Sequence, residues 1–398
     1  MRWQHGDITY CSNVHAGESV ADIKDNLTRF IQPVSEQRGL DQMVTGLWIG
    51  AVAASDLREA FALANFRLAL ETSGLVLTSI NGFPYGGFHQ DEVKAKVYLP
   101  DWSDPARLRY TKDLAAILAA CLPDGYDNGS ISTLPLGYKR DWDEDKQRAA
   151  VGHLGELMIY LTKLKLRTGK HISICLEMEP DCVLESTTEL IEFFTTVVKP
   201  QMMYVDHLAV CYDVCHQAVM HEEAYAALKA IHDAGITIGK IQLSSALSAD
   251  FNGSNDDEIL TLLAQFSEPK YLHQVKTLDE QGGLTSSDDL STALAEGSDP
   301  EKRLSCQNDW RIHFHVPIHA QSLIHPQLRT TRAEILRVFD FLRDHPDIKP
   351  WLEVETYSWQ VLPQTLRPQN DSELISGIVE ELRWVEAELA NRELIDGQ

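Results

Sequence analysis

HISICLEMEP (171–180) and DHLAVCYDVCH (206–216) read as two strands whose polar faces both end in acids. In the first, Ile172, Ile174, Leu176 and Met178 alternate with Ser173, Cys175, Glu177 and Glu179, the period of a chain whose side chains point to opposite faces in turn. In the second, Leu208, Val210 and Tyr212 share one side, while Asp213 and then His216 close the other. Between them Ser186-Thr187-Thr188-Glu189 forms a capping box, and Leu190, Ile191, Phe193 and Phe194 supply the apolar stripe of a crossover helix. The unit is β-α-β, and folds built from such units place their sites at the carboxyl ends of the strands.

Working outward, strands are expected at 9–15 (ending in Asn13 and His15), 45–51, 75–81, 130–136 and 237–244, separated by helical patterns such as 143–168. The third opens into NGFPYGGFH (81–89), a Gly/Pro/aromatic loop in which Asn81 and His89 could shape a pocket wall. Two further alternating segments follow, RIHFHVPIH (311–319) and WLEVETYSW (351–359). In the last, Glu353, Glu355 and Tyr357 share a face. Strand–helix alternation predicts an α/β fold, a (β/α)8 TIM barrel forming one domain over 1–398, with long loop insertions at the carboxyl-end face. The count is one strand too many: 271–277 with 311–317 are expected to form an added hairpin or edge near the barrel mouth, the other resolution being that 45–51 is not a strand. Residues 248–310, acidic and rich in Gly and Ser, are read as an insertion.

The composition narrows the class of function. Of 398 residues 44% are hydrophobic, yet no apolar run approaches the about 20 residues a membrane helix needs, so no membrane insertion is expected. The first residues lack a charged-then-apolar secretory pattern, which points to the cytoplasm. Seven cysteines without paired spacing argue against a disulfide framework or structural zinc. A net charge of −24, from 59 acids against 35 bases, would repel a phosphate backbone, so nucleic acid is not an expected partner and a small-molecule metabolite is.

Glu177, Asp213, His216, Gln242, His273, His313, His315, Glu353 and Glu355 come from distant segments, but nearly all fall toward the carboxyl end of an expected strand. Carboxylates and imidazoles gathered in one cavity need something positive among them, and a divalent cation supplies it. A mixed oxygen and nitrogen set suits Mn, Zn, Fe, Co or Mg. Any single acid could instead be salt-bridged to a barrel lysine or arginine. Coincidence over four segments is what argues for the metal. No G-x-S-x-G elbow, P-loop or G-x-G-x-x-G is present.

Leu-Glu at 176–177, Asp-x-x-His at 213–216, a polar residue in the seventh strand and Glu near the end of the last resemble the xylose isomerase-like TIM barrels, which include sugar phosphate isomerases and epimerases and the family 2 AP endonucleases of endonuclease IV type. More narrowly, YCSNVHAGE (10–18), NGFPYGGFH (81–89), VYLPDW (97–102), HFHVP (313–317) and LEVETYSW (352–359) resemble EboE-type metabolite traffic proteins, a bacterial family linked to export of secondary-metabolite precursors. The first resemblance implies Glu177, Asp213 and one terminal glutamate, Glu355 ahead of Glu353, as metal ligands. Gln242 stands where those isomerases usually place a histidine; its carbonyl could bind a hard cation as a weaker ligand, or His273, His313 or His315 could replace it. Asn13, His15, Asn81, His89, His216, His273, Glu353 and Tyr357 are the candidates for substrate contact or for support of the ligands.

The function expected first is a metal-dependent isomerase or epimerase of a sugar, polyol or their phosphates, in which Glu177 and Glu355 exchange a proton on opposite faces of the substrate carbon. A metabolite-binding or trafficking protein on the same barrel is the alternative, with other proteins of the same gene cluster as partners. Phosphoester hydrolysis of the endonuclease IV type is the third.

Overall fold

The computed structural model describes residues 3–251, 256–296 and 309–396. Eight strands run parallel: β1 (Ile8–Tyr10), β2 (Met43–Trp48), β3 (Leu75–Asn81), β4 (Asn128–Thr133), β5 (His171–Glu177), β6 (Leu208–Asp213), β7 (Ile238–Leu243) and, after an added sheet, β13 (Trp351–Val354). Their order is β1-β13-β7-β6-β5-β4-β3-β2. A parallel bridge between Cys11 and Gly46 brings the two ends together, so the sheet is a nearly closed TIM barrel.

The added sheet resolves the surplus strand. It is antiparallel, in the order β10-β9-β11-β8-β12, from β8 (Ala246–Ala249), β9 (Val275–Leu278), β10 (Leu284–Ser287), β11 (Trp310–His315) and β12 (Leu328–Thr330). The segments 271–277 and 311–317 therefore meet in it as β9 and β11. The elements of this sheet span 246–330, starting before and ending after the expected 248–310; within that stretch 252–255 and 297–308, with Cys306, lie outside the described residues.

Local chemistry sets the element ends. Ser186 accepts from the Glu189 N–H at 3.3 Å, and the Glu189 carboxylate accepts from the Ser186 N–H at 3.2 Å, which starts the crossover helix as expected. Asp143 caps the long helix Glu144–Thr168, which stops at Gly169 with φ 74°. The first and last barrel strands stop well short of the expected 9–15 and 351–359. β1 stops at Tyr10, and Ser12–Val14 forms a 3-10 turn anchored where Ser12 Oγ accepts the Trp48 N–H at 2.9 Å. β13 stops at Val354, although the Glu355 N–H still donates to Leu243 O at 3.1 Å.

The even residues of β5 pack outward against the helices, while Cys175, with Ala209 and Cys211, fills the barrel interior. That interior is tight: a Cβ on Gly239 would lie 2.7 Å from Cys175 Sγ. Among the described residues no helix is long and apolar enough to cross a membrane.

Candidate functional site

The barrel interior carries its acids in two layers. In the lower, Glu353 accepts from Lys240 Nζ at 3.0 Å, both side chains being essentially buried. Gly46 makes room for this pair, because any Cβ there would collide with the Glu353 carboxylate. Glu353, expected as a partner of the site or as a ligand, is thus a neutralised barrel acid. The depth of one strand residue separates it from Glu355.

In the upper layer Glu177, Asp213 and Glu355 bring carboxylate oxygens within 4.8 Å of one another. Among the described residues no lysine or arginine reaches ion-pairing distance of any of the three; their ion-pair neighbour is His216, at 3.8 Å from Glu177 and 3.9 Å from Asp213. Asp213 ends β6 and caps the helix Val214–Val219: its Oδ1 accepts the His216 N–H at 2.9 Å and the Ser244 hydroxyl at 2.7 Å. Burial would raise this carboxyl, but the His216 and His315 rings and those two hydrogen bonds outweigh it and hold the group at about 2. Glu177 goes the other way, to about 8, through burial and then the charge of Asp213. Glu355 is raised by burial and by Glu177 and Asp213. Its Oε1 accepts from Asn13 Nδ2 at 2.8 Å and Asn81 Nδ2 at 3.1 Å, and His89 Nε2 lies 2.8 Å from Asn13 O, so these three predicted residues brace one carboxylate.

Gln242 lies among the three acids, but not as the expected carbonyl ligand. Its Nε2 donates to Asp213 at 2.9 Å, to Glu177 at 3.1 Å and to Glu355, while its Oε1 accepts from Cys211 Sγ at 3.1 Å. Acceptor-only carboxylates draw the NH2 group inward. Glu177 Oε2 keeps no hydrogen-bond partner.

Three histidines complete the cluster with their ligand nitrogens set. His216 Nδ1 donates to Met178 O at 2.9 Å, His315 Nδ1 to Glu355 O at 2.7 Å, and His313 Nδ1 to Gln274 Oε1 at 2.7 Å. Because each of these partners can only accept, the lone pair of every ring sits on Nε2, the arrangement that prepares imidazole for a metal. Nε2 of His313 and of His315 is buried without a partner. Burial lowers all three, His315 to about 4. Two sets of possible ligands, Glu177/Asp213/Glu355 and Asp213/His216/His315, share Asp213; Glu179/His216/His313 and Cys215/His313/His315 also come within 4.8 Å.

Two predicted residues lie elsewhere. His15 stacks on Phe30 at 4.1 Å and pairs with the Tyr10 hydroxyl at 2.8 Å, facing the core because the chain has already left the strand. His273 has both ring nitrogens engaged, by His313 O and Glu268 Oε1 at 2.8 Å each, and supports β11 from outside the cluster. Tyr357 does line the cavity, its ring centre 4.6 Å from that of His315. Glu179, next to Pro180 beyond the strand end, reads from sequence as a loop residue or a supporting partner and is not among the candidate site residues above; it is buried on the cavity lining and accepts from the Tyr98 hydroxyl at 2.7 Å. The spacing Glu-x-Glu was the signal, since residues two apart share a face. Tyr98 also accepts from Gln274 Nε2 at 3.1 Å, which fixes the amide that holds His313.

No protein-family model matches the chain, and no curated protein is similar enough to match. Among solved structures, a D-tagatose 3-epimerase-like protein superposes over 99% of this chain and 98% of its own with a TM-score of 0.50 at 10% identity. The two share the TIM-barrel fold. Lower-scoring superpositions include a putative xylose isomerase from Rhodospirillum rubrum (11% identity, 96% of this chain and 98% of that one, TM-score 0.49) and a xylose isomerase-like TIM barrel protein from Mycobacterium smegmatis in complex with magnesium (10%, 97% and 99%, 0.47).

Proposed function

We propose that the chain is a divalent-cation-dependent isomerase or epimerase of a small hydroxycarbonyl or polyol metabolite. One observation carries this: three buried carboxylates meet beside three imidazoles whose Nε2 lone pairs are fixed by acceptors behind them, with no side-chain cation in the group. Asp213, Glu177, Glu355, His216, His313 and His315 would hold the ion. Such a cation supplies Lewis-acid polarisation of a substrate oxygen. The chain's own residues do the rest. Glu177 Oε2, without a partner, is placed to take a proton from a hydroxyl-bearing carbon, and Glu355, oriented by Asn13 and Asn81, to return one, so the overall change is isomerisation without loss of atoms. The sequence motifs shared with EboE-type proteins support a place for this chemistry in the handling of secondary-metabolite precursors, and we treat the added sheet as an insertion into a single barrel domain that supplies His313 and His315.

The test is metal analysis of protein purified without chelator, followed by solvent-deuterium exchange into dihydroxyacetone. Bound metal with exchange lost in both Glu177→Gln and Glu355→Gln supports the assignment. Metal-free protein, or exchange unchanged in both variants, removes it. The second reading, a binding protein that does not turn its ligand over, is favoured by Gln242, whose amide already ties the three acids together where a catalytic ligand is expected. Tight ligand binding without exchange in metal-loaded protein would select it.

A further inference from the structure

The cavity above the acids holds about 60 Å³, and its two ends differ in chemistry. Glu177, Glu179, His216, His313 and Glu355 form the polar floor. The walls are Phe83, Pro84, Phe88, Val97, Tyr271 and Tyr357. Four of these are rings from three separate segments, and three of them meet: Phe88 lies 5.1 Å from Tyr271 in a tilted contact, while Phe88 and Tyr271 each meet Tyr357 edge to face, at 5.5 and 5.0 Å. Phe88 and Tyr271 belong with Trp48 and Val93 to an apolar cluster of their own, separate from the main core. The loop is fixed against the segment bearing Tyr271 by the Val93 and Lys94 N–H groups, which donate to Lys270 O at 2.8 and 3.0 Å. Among the described residues neither Tyr271 nor Tyr357 has a hydrogen-bond partner for its hydroxyl.

Charge decides what such a cavity excludes. Lys94 is the one basic residue on the lining apart from histidine, and Asp289 holds its ammonium at 2.5 Å. Lys270 is off the lining and sits over the Tyr271 ring at 5.2 Å. Beyond the proposed ion, which the vicinal oxygens would occupy, a phosphate ester would thus meet acidic residues and, among the described residues, no free side-chain counter-charge on the lining.

Resting on the functional reading above, we infer that the ligand is uncharged and amphiphilic: vicinal oxygens on the floor, and a flat aromatic or unsaturated arm packed against the rings of Phe88, Tyr271 and Tyr357. This excludes the sugar phosphates that the fold alone would allow.

A matched series tests it by calorimetry on the full chain, loaded with Mn²⁺: 2-hydroxyacetophenone (head plus ring), dihydroxyacetone (head alone) and dihydroxyacetone phosphate (head plus charge). The ring should tighten binding at least about 10-fold over dihydroxyacetone, the phosphate should not tighten it, and Phe88→Ala and Tyr271→Leu should each remove most of the ring's advantage while leaving metal content unchanged. Equal binding of the first two compounds, or tightest binding of the phosphate, overturns the inference. The wild-type series needs no variant, so misfolding of Phe88→Ala leaves the outcome decisive. Metal bound without ring preference sinks this inference and spares the functional reading; ring preference in protein that holds no metal does the reverse.

Discussion

Two layers of the same barrel handle buried acid in opposite ways. Below, Glu353 has Lys240 at 3.0 Å and the layer is neutral; above, Glu177, Asp213 and Glu355 have only hydrogen bonds and imidazoles beside them. The lower layer is a finished part of the scaffold. In the upper one, uptake of protons stands in for a missing positive charge, since Glu177 rises to about 8 while Asp213 stays near 2. The comparison teaches that a barrel acid is informative only once its neutraliser is known.

The largest effect should come from breaking the lower layer. Lys240→Met leaves Glu353 buried and unpaired, which should cost about 3–5 kcal/mol in urea unfolding, and Lys240→Met with Glu353→Met should recover most of it. A single variant as stable as wild type would erase the contrast. In the upper layer the same kind of change should act on the ion instead: Asp213→Ala should weaken Mn²⁺ binding on the order of 100-fold, about 2.7 kcal/mol, by titration calorimetry. Metal-free Glu177→Gln should be at least as stable as metal-free wild type, increasingly so above about pH 8, because burial and Asp213 oppose ionisation of this carboxyl; marked destabilisation would mean that a partner holds the carboxylate in a way the amide cannot replace.

Next in size, Gln274→Leu removes the acceptor that sets the His313 tautomer and should cost about 10–100-fold in metal affinity. Unchanged affinity would show that His313 is not a ligand.

The smallest effect lies at the other end of β5. His171 stacks on His207 at 4.4 Å, and burial first, then His207, lower it to about 4 from an ordinary value near 6.5. The folded protein binds fewer protons here than the unfolded chain between those values. Stability present above pH 6.5 is therefore lost as the pH falls toward 4, by about 1 kcal/mol for this half-buried group. His171→Gln should flatten the loss; an unaltered profile would assign it to other groups.

Period-two alternation made the barrel and the inward acids legible, because a strand side chain has only two faces to choose from. It could not rank Glu353 against Glu355, which share a face and differ only in depth. The cue was present in Lys240, two residues before Gln242 and on its face, but which acid a long lysine reaches is settled in three dimensions. His15 was misplaced for a related reason: alternation projects a side chain correctly only while the strand continues, and this one ends at Tyr10. The aromatic walls were invisible as a unit, since Phe88, Tyr271 and Tyr357 lie far apart in the chain.

His313 and His315 stand on β11, in a sheet with its own hydrogen-bond ladder, while Asp213 and Glu177 stand on the barrel. An ion gripping both sets would rivet one sheet to the other. Amide hydrogen exchange across β11 should accordingly slow when Mn²⁺ is added and speed up with chelator, so that the added sheet reports the state of the site without any substrate in hand.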